Sequence, residues 1–192
     1  MKFIKLPILI LAGAALISGC SDSRTDAPLS SSVPIPTNAQ PKSPAPAAPA
    51  FTPSIPNQAQ PKLPTIKLWL GAQEMNAELA LNAGQMRTGM MFRTNMEANG
   101  GMLFVLPQPQ QAGFWMKNCF VPLSAAYIDS EGTILEIHPL QPQNTNPVLS
   151  AAANVQYVLE TPQGWFDRNQ VSTGAMIRTE QGSLPETFFR KR

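Results

Sequence analysis

Apolar and polar side chains alternate along most of the chain between Thr65 and Thr179, and a period of two is the pattern of β-strands with one buried face. Two runs on either side of Gly71 predict one hairpin, and two runs on either side of the turn 129–132 predict another. The strands we predict are 66–70, 75–81, 102–106, 113–123, 124–128, 133–138, 155–160 and 175–179. The prolines of 107–109 are expected to end the third of these strands.

One or two short helices are predicted between the strands. Asn82 is a good N-cap residue for a helix over 83–92, and the segment 165–168 can form one further turn. Seven or so short strands at hairpin spacing predict a mainly β fold. We expect an antiparallel, jelly-roll-like sandwich or barrel.

The N-terminus has the pattern of a bacterial lipoprotein signal peptide. Lys2 and Lys5 form a positively charged region before an apolar run over 6–17, which is too short to span a bilayer comfortably. A small-residue motif then ends at Cys20. The resemblance to bacterial lipoproteins implies removal of residues 1–19 and acylation of Cys20, with palmitate among the usual acyl chains. Such chains would hold the protein on the lipid bilayer. Ser21 resembles the outer-membrane sorting residue of Gram-negative bacteria, so we expect a location in the cell envelope, facing the periplasm.

A proline-rich segment separates this signal from the alternating pattern. Residues 27–64 contain eleven prolines and only two charged side chains, a composition that favours an extended, unfolded chain. We therefore predict a signal peptide at 1–19, a lipidated N-terminus and disordered tether at 20–64, a β domain at 65–183 and a tail at 184–192.

The low net charge of the chain argues against a nucleic-acid partner. The formal net charge of the whole chain is +2, and two of the basic residues belong to the predicted signal peptide. A nucleic-acid partner would require a clustered basic face, which this sequence lacks. We predict a monomer without cofactor whose partners are the bilayer and a small molecule, a glycan or an envelope protein.

Six sequence blocks resemble a known family. They are GMMFR (89–93), GMLF (101–104), FWMKN (114–118), PL (122–123), IDSEG (128–132) and YVLE (157–160). Their order is similar to that of family 192 of domains of unknown function, and the match spans nearly all of 65–179. The resemblance implies a small, often exported, jelly-roll-like β domain without an established activity. Cys119, Ser124 and Ala175 depart from the residues usual in the family, which are Thr, Asp and Asp.

Nucleophilic and metal chemistry have few candidate residues. Cys119 and His138 are the only pair that could form an activated thiol, but Cys119 is interpreted as a small core residue. The methionines with Cys119 suit Cu(I), yet most of them occupy predicted core positions. No ligand spacing indicates zinc or calcium. We assign no catalytic and no metal-binding residue.

A group of polar residues embedded in apolar blocks is the candidate ligand site. Its members are Arg87, Arg93, Trp115, Lys117, Asn118 and Glu160. Charges in such places are either paired inside the fold, as Arg93–Glu160 or Lys117–Glu160, or line a pocket. Aromatic, Arg, Asn and Glu side chains together suit a carbohydrate or a carboxylate-bearing small molecule.

The function predicted from the sequence is that of a membrane-anchored lipoprotein with a ligand- or partner-binding domain that performs no chemistry. One alternative is an enzyme acting on cell-wall glycan or peptide through Glu160 and a second carboxylate. Another is a periplasmic protein that handles Cu(I) through methionine and Cys119.

Overall fold

The alternation that begins at Thr65 produces a hairpin whose inward side chains are apolar. Strand β1 (Thr65–Leu70) pairs antiparallel with β2 (Gln73–Ala80) across the turn at Gly71, whose φ of 64° suits glycine. The structure, a computed structural model, describes residues 55–190. The predicted signal peptide, Cys20 and most of the predicted tether lie outside the described residues.

Helix α1 follows this hairpin and begins where the sequence predicts. It spans Ala83–Thr88, Asn82 caps it, and the Gln85 side chain completes a capping box. The other elements are β3 (Gly100–Gln110), β4 (Gly113–Phe114), β5 (Leu123–Ile128), β6 (Ile134–Leu140), β7 (Val148–Leu149), β8 (Val155–Pro162), α2 (Trp165–Arg168), β9 (Ile177–Thr179), β10 (Gly182–Ser183) and α3 (Leu184–Phe188).

Eight strands form one large sheet in the order β10-β9-β1-β2-β3-β8-β5-β6, and β4 pairs with β7 in a small ribbon. All pairs are antiparallel except β2 with β3, where α1 and the following loop carry the chain back to run in the same direction. An isolated bridge from Thr133 to Met176 links the two ends of the sheet, but within residues 55–190 the sheet does not close into a barrel. The prediction of a mainly β fold is confirmed.

Each face of the sheet carries its own hydrophobic cluster. The first cluster contains Leu68, Met75 and Leu103, together with Trp165 and Phe166 of α2. The second cluster lies on the opposite face of the sheet, since its residues alternate with those of the first along β3, β5 and β8, and it is rich in sulfur. Its sulfur-containing members are Met90, Met91, Met102, Met116 and Cys119.

Several details of the predicted secondary structure are wrong. Strand β3 runs through the prolines of 107–109, with a register shift between Val105 and Gln110 that absorbs the missing N–H donors. The stretch 113–123 is not a central strand, because β4 ends at Phe114 and a turn follows in which Cys119 N–H donates to the Met116 carbonyl at 3.0 Å. Three helices are present where one or two were predicted, and α1 ends at Thr88 rather than at residue 92. Helix α3 lies wholly within the predicted tail, where Leu184 is fully buried.

The residues just before β1 form a strap along the sheet, which we define as residues 60–64. Leu63 packs against the second cluster, and the Pro64 carbonyl accepts from Leu79 N–H at 2.9 Å. The Gln60 side-chain amide donates to the carbonyls of Gln85 and Gly89, which end α1. These residues, placed in the tether by the sequence analysis, thus contact the β domain.

Candidate functional site

A bidentate ion pair stands on the face of the sheet that carries the second cluster. Met75 and Ala77 of β2 point into the first cluster, so Glu78 points to the opposite face. Arg93, in the loop after α1, donates from Nη1 and Nη2 to the two Glu78 carboxylate oxygens at 2.5 and 2.8 Å. The two side chains are only 16% and 11% exposed, so this charge-assisted pair is largely shielded from solvent.

The strap holds Glu78 from its other side. Leu63 N–H donates to Glu78 Oε2 at 2.7 Å, so one carboxylate receives hydrogen bonds from both the loop and the strap. Burial acts to raise the pKa of Glu78, but the hydrogen bonds from Arg93 and Leu63 and the charges of Arg93 and Lys62 outweigh it. The net effect lowers the pKa of this carboxyl group, which is therefore ionised at neutral pH.

Around this pair the strap, β2, the start of β3 and the loop 89–99 enclose a cleft of about 550 Å³. Its lining residues are Gln60, Lys62, Thr65, Asn76, Glu78, Arg93, Asn95, Met96, Glu97, Gly100 and Gly101. Two basic and two acidic side chains are among them, and they pair as Arg93–Glu78 and Lys62–Glu97. The charges in the cleft therefore balance.

Three polar side chains of the cleft carry no internal hydrogen bond. Thr65, Asn76 and Asn95 are exposed, and within residues 55–190 none of their side chains hydrogen-bonds to another group of the protein. Their hydroxyl and amide groups are free to bind a ligand. A second, smaller cavity of about 390 Å³ lies between β5, β6 and α2, with Ser124 and Asp167 among its lining residues.

Glu160 has a different environment from Arg93, with which the sequence analysis paired it. It lies on the central strand β8 beside Met102 and Ala125, is 4% exposed, and its Oε2 has no hydrogen-bond partner among the described residues. Both predicted ion pairs of Glu160 are therefore wrong. Burial raises the pKa of Glu160 to about 8, which keeps this carboxyl group mostly protonated at neutral pH.

Cys119 and His138 do not form a nucleophile and base. Cys119 is buried and free among the described residues, and burial together with the nearby Glu160 charge raises its pKa to about 12. His138 instead hydrogen-bonds to Glu136 at 2.8 Å. A neutral thiol in an apolar cluster is a poor nucleophile, which agrees with the interpretation of Cys119 as a small core residue. Within residues 55–190, no group of three or more His, Cys, Asp or Glu side chains is arranged to hold a metal ion.

The remaining members of the predicted site are dispersed. Trp115 is 38% exposed and lies beside Lys117, whose Nζ is 5.6 Å from its ring centroid. Asn118 has a positive φ of 58°, and its carbonyl accepts from Phe92 N–H at 2.7 Å, so it shapes the turn. Arg87 lies in the last turn of α1 without an ion pair in the described part of the chain. Of the six predicted residues, only Arg93 lines the cleft.

Sequence reasoning missed Glu78, Asn76 and Asn95. The available signal was a glutamate between the apolar residues of β2, but alternation in a half-buried strand does not distinguish a solvent-exposed glutamate from a covered one. Its burial depends on the strap and on the loop 89–99, both of which cross over β2 from outside the hairpin.

The fold and the cleft define a class: a single β domain built on an open mixed sheet, with a polar cleft over a buried ion pair on one face. The chain belongs to the DUF192 family of uncharacterised proteins, whose model matches residues 66–179. No curated protein matches the chain.

Solved structures share this fold. A candidate transcription regulator from Sinorhizobium meliloti 1021 is 31% identical with a TM-score of 0.60, and the match covers 63% of this chain and 98% of that one. A protein of unknown function from Novosphingobium aromaticivorans DSM 12444 is 26% identical with a TM-score of 0.56, covering 60% of this chain and 86% of that one.

Proposed function

We propose that this DUF192 protein is a lipid-anchored envelope protein whose β domain binds a neutral, hydroxyl- and amide-rich small molecule, such as a sugar, in the cleft over Glu78 and Arg93. The domain performs no chemistry on that ligand. One observation carries the proposal: Thr65, Asn76 and Asn95 present unused polar groups in a cleft that also contains the buried Glu78–Arg93 ion pair.

The charge balance of the cleft favours a sugar over a carboxylate. Both carboxylate oxygens of Glu78 bind Arg93, and Glu97 balances the charge of Lys62 at 3.1 Å, so the cleft has no excess positive charge to attract an anionic ligand. Sugar binding requires several fixed donors and acceptors around a small volume, and neutral amides and hydroxyls supply both.

The anchor is proposed from the sequence around Cys20, which lies outside the described residues. None of the helices in the described part is long and apolar enough to cross a membrane. A Cys20→Ala variant expressed in a Gram-negative host should incorporate no labelled palmitate, whereas the native protein should incorporate it. Retention of the label would contradict the anchor.

The enzyme alternative receives less support. Glu78 and Glu160 lie in one row across the sheet, separated only by Met102, which places their backbones roughly 10 Å apart. Carboxyl groups about that far apart would approach the spacing found in inverting glycosidases. However, Glu160 is nearly inaccessible and does not line the cleft, and Glu78 is held by Arg93.

The Cu(I) alternative also receives less support. Four methionines share the second cluster with Cys119, which places sulfur atoms in one region. The raised pKa of the Cys119 thiol opposes the thiolate that a copper ligand requires.

Calorimetry on the full-length protein in detergent tests the cleft. N-acetylglucosamine and its dimer are the neutral probes, and a dipeptide is the carboxylate probe. We expect the sugars to bind the native protein, the dipeptide not to bind, and Asn76→Ala and Asn95→Ala each to weaken sugar binding about tenfold. Phe120→Ala, at an aromatic that is 53% exposed outside the cleft, is the control and should bind normally. Equal sugar affinity in all variants, or no binding by the native protein, would overturn the proposal.

A further inference from the structure

The face of the sheet that forms the cleft continues beyond Asn76. Leu68 and Leu70 of β1 point into the first cluster, so Thr65, Lys67 and Trp69 point to the cleft face. The second cluster contains no residue of β1. The side chains of Thr65, Lys67 and Trp69 are therefore not covered by it, and they are exposed or half-buried.

The register of β1 and β2 arranges this face in three rows. Thr65 lies opposite Glu78, Lys67 opposite Asn76, and Trp69 opposite Glu74. Successive rows on one face of a sheet are about 7 Å apart, so the distance from the Glu78 row to the Trp69 row is roughly 14 Å. A short oligosaccharide spans that distance.

Trp69 is a half-buried aromatic ring among charged side chains. Lys67 Nζ lies 5.7 Å from the ring centroid and 3.6 Å from the Glu74 carboxylate. The side chains of Lys67 and Glu74 are 37% and 58% exposed, and an exposed ion pair of this kind contributes little to stability. Lys67 can therefore move from the ring at small cost.

We propose that Trp69 forms a second sugar subsite, and that the ligand is a neutral oligosaccharide lying along β1 and β2 from the Glu78–Arg93 cleft to Trp69. This inference rests on the proposed function of the cleft. The indole ring supplies the flat apolar surface on which a sugar ring packs. Lys67 and Glu74 supply polar groups at its edge, and the exposed Arg178 of β9 lies opposite Trp69 in the same row.

A length series tests the subsite. Calorimetry with N-acetylglucosamine oligomers of one to four units is carried out on the full-length native protein and on Trp69→Ala, Trp69→Phe and Phe120→Ala. The native affinity should rise with oligomer length, by about tenfold between the monomer and the trimer. Trp69→Ala should lose that rise and retain the native affinity for the monomer. Trp69→Phe should restore part of it, and Phe120→Ala should bind every oligomer as the native protein does.

Tryptophan fluorescence supplies a second readout. The trimer should change the native emission, and the change should be absent in Trp69→Ala. Affinity that is independent of length, or a length dependence that persists in Trp69→Ala, overturns the subsite and leaves the cleft proposal standing. If the native protein binds no oligomer and no monomer, both proposals fail.

Discussion

Glu78 and Glu160 lie on the same face of one sheet and in the same row, with Met102 of the intervening strand between them. Both are buried, at 9% and 4% exposure. Their electrostatic states are opposite, because the pKa of Glu78 is lowered whereas burial raises the pKa of Glu160 to about 8. Two glutamates one strand apart therefore carry different charges at neutral pH.

The difference comes from what covers each carboxylate. The strap and the loop 89–99 bring Leu63 N–H and the Arg93 guanidinium to Glu78, and these donors offset the cost of burying its charge. Glu160 lies next to Met102 on the face that carries the methionine-rich cluster, where its Oε2 finds no donor among the described residues. Strand position alone does not set the charge of a buried acid; the segments packed over the sheet do.

The largest effect should come from removing the cation beside Glu78. Arg93→Met leaves a buried carboxylate without its partner, and we expect the free energy of unfolding to fall by about 3–5 kcal/mol. Urea denaturation at pH 7 measures this loss. Arg87→Met, on α1 and without an ion pair in the described residues, is the matched control and should change stability by about 0.5 kcal/mol or less. Equal losses in the two variants would show that the pair does not stabilise the cleft.

The buried carboxyl group of Glu160 should make the free energy of unfolding depend on pH. Its pKa rises from 4.5 in the unfolded chain to about 8 in the folded protein, so between these values the unfolded state loses its proton and the folded state keeps it. The native protein should lose up to about 1.4 kcal/mol of stability per pH unit in this window from this group.

Glu160→Gln cannot ionise and should lack this component of the pH dependence. Urea midpoints measured from pH 5 to pH 9 should therefore show the stability of the variant increasing relative to that of the native protein as pH rises. Glu131→Gln, at an exposed turn, should follow the native curve. Parallel curves for the native protein and Glu160→Gln would mean that Glu160 is not buried as described.

The smallest effect should come from Cys119, which lies in the same cluster as the methionines. Cys119→Ser places a hydroxyl group in this apolar surrounding and should cost about 1–3 kcal/mol, whereas Cys119→Ala should cost less. In the native protein, a thiol reagent at pH 8 should label Cys119 only as fast as the protein unfolds, because the thiol is buried and protonated. Rapid labelling would contradict both properties.

Much of the fold could be predicted from local pattern. The hairpins β1–β2 and β5–β6, the strand β8 and the Asn82 cap follow from alternation, turn residues and capping chemistry, all of which act within a few residues. The block 113–123 was misassigned because a short run with apolar residues on both sides fits a strand or a packed turn equally well.

The candidate site was predicted only in part, through Arg93. Arg93 and Glu78 are fifteen residues apart, and their contact depends on the parallel placement of β2 and β3, which sends the connecting loop back over the sheet. No local pattern encodes which of several buried charges meet.

The sequence by itself determined that this is a mainly β domain, approximately where most of its longer strands lie, and that its family is DUF192. Only the tertiary structure decided that Arg93 binds Glu78, that Glu160 is left without a donor among the described residues, and that a polar cleft with Trp69 at the far end of its face lies on one side of the sheet. The physical reason is range: strand and turn propensities act between neighbours in sequence, whereas burial and ion pairing act between segments that only the complete fold brings together.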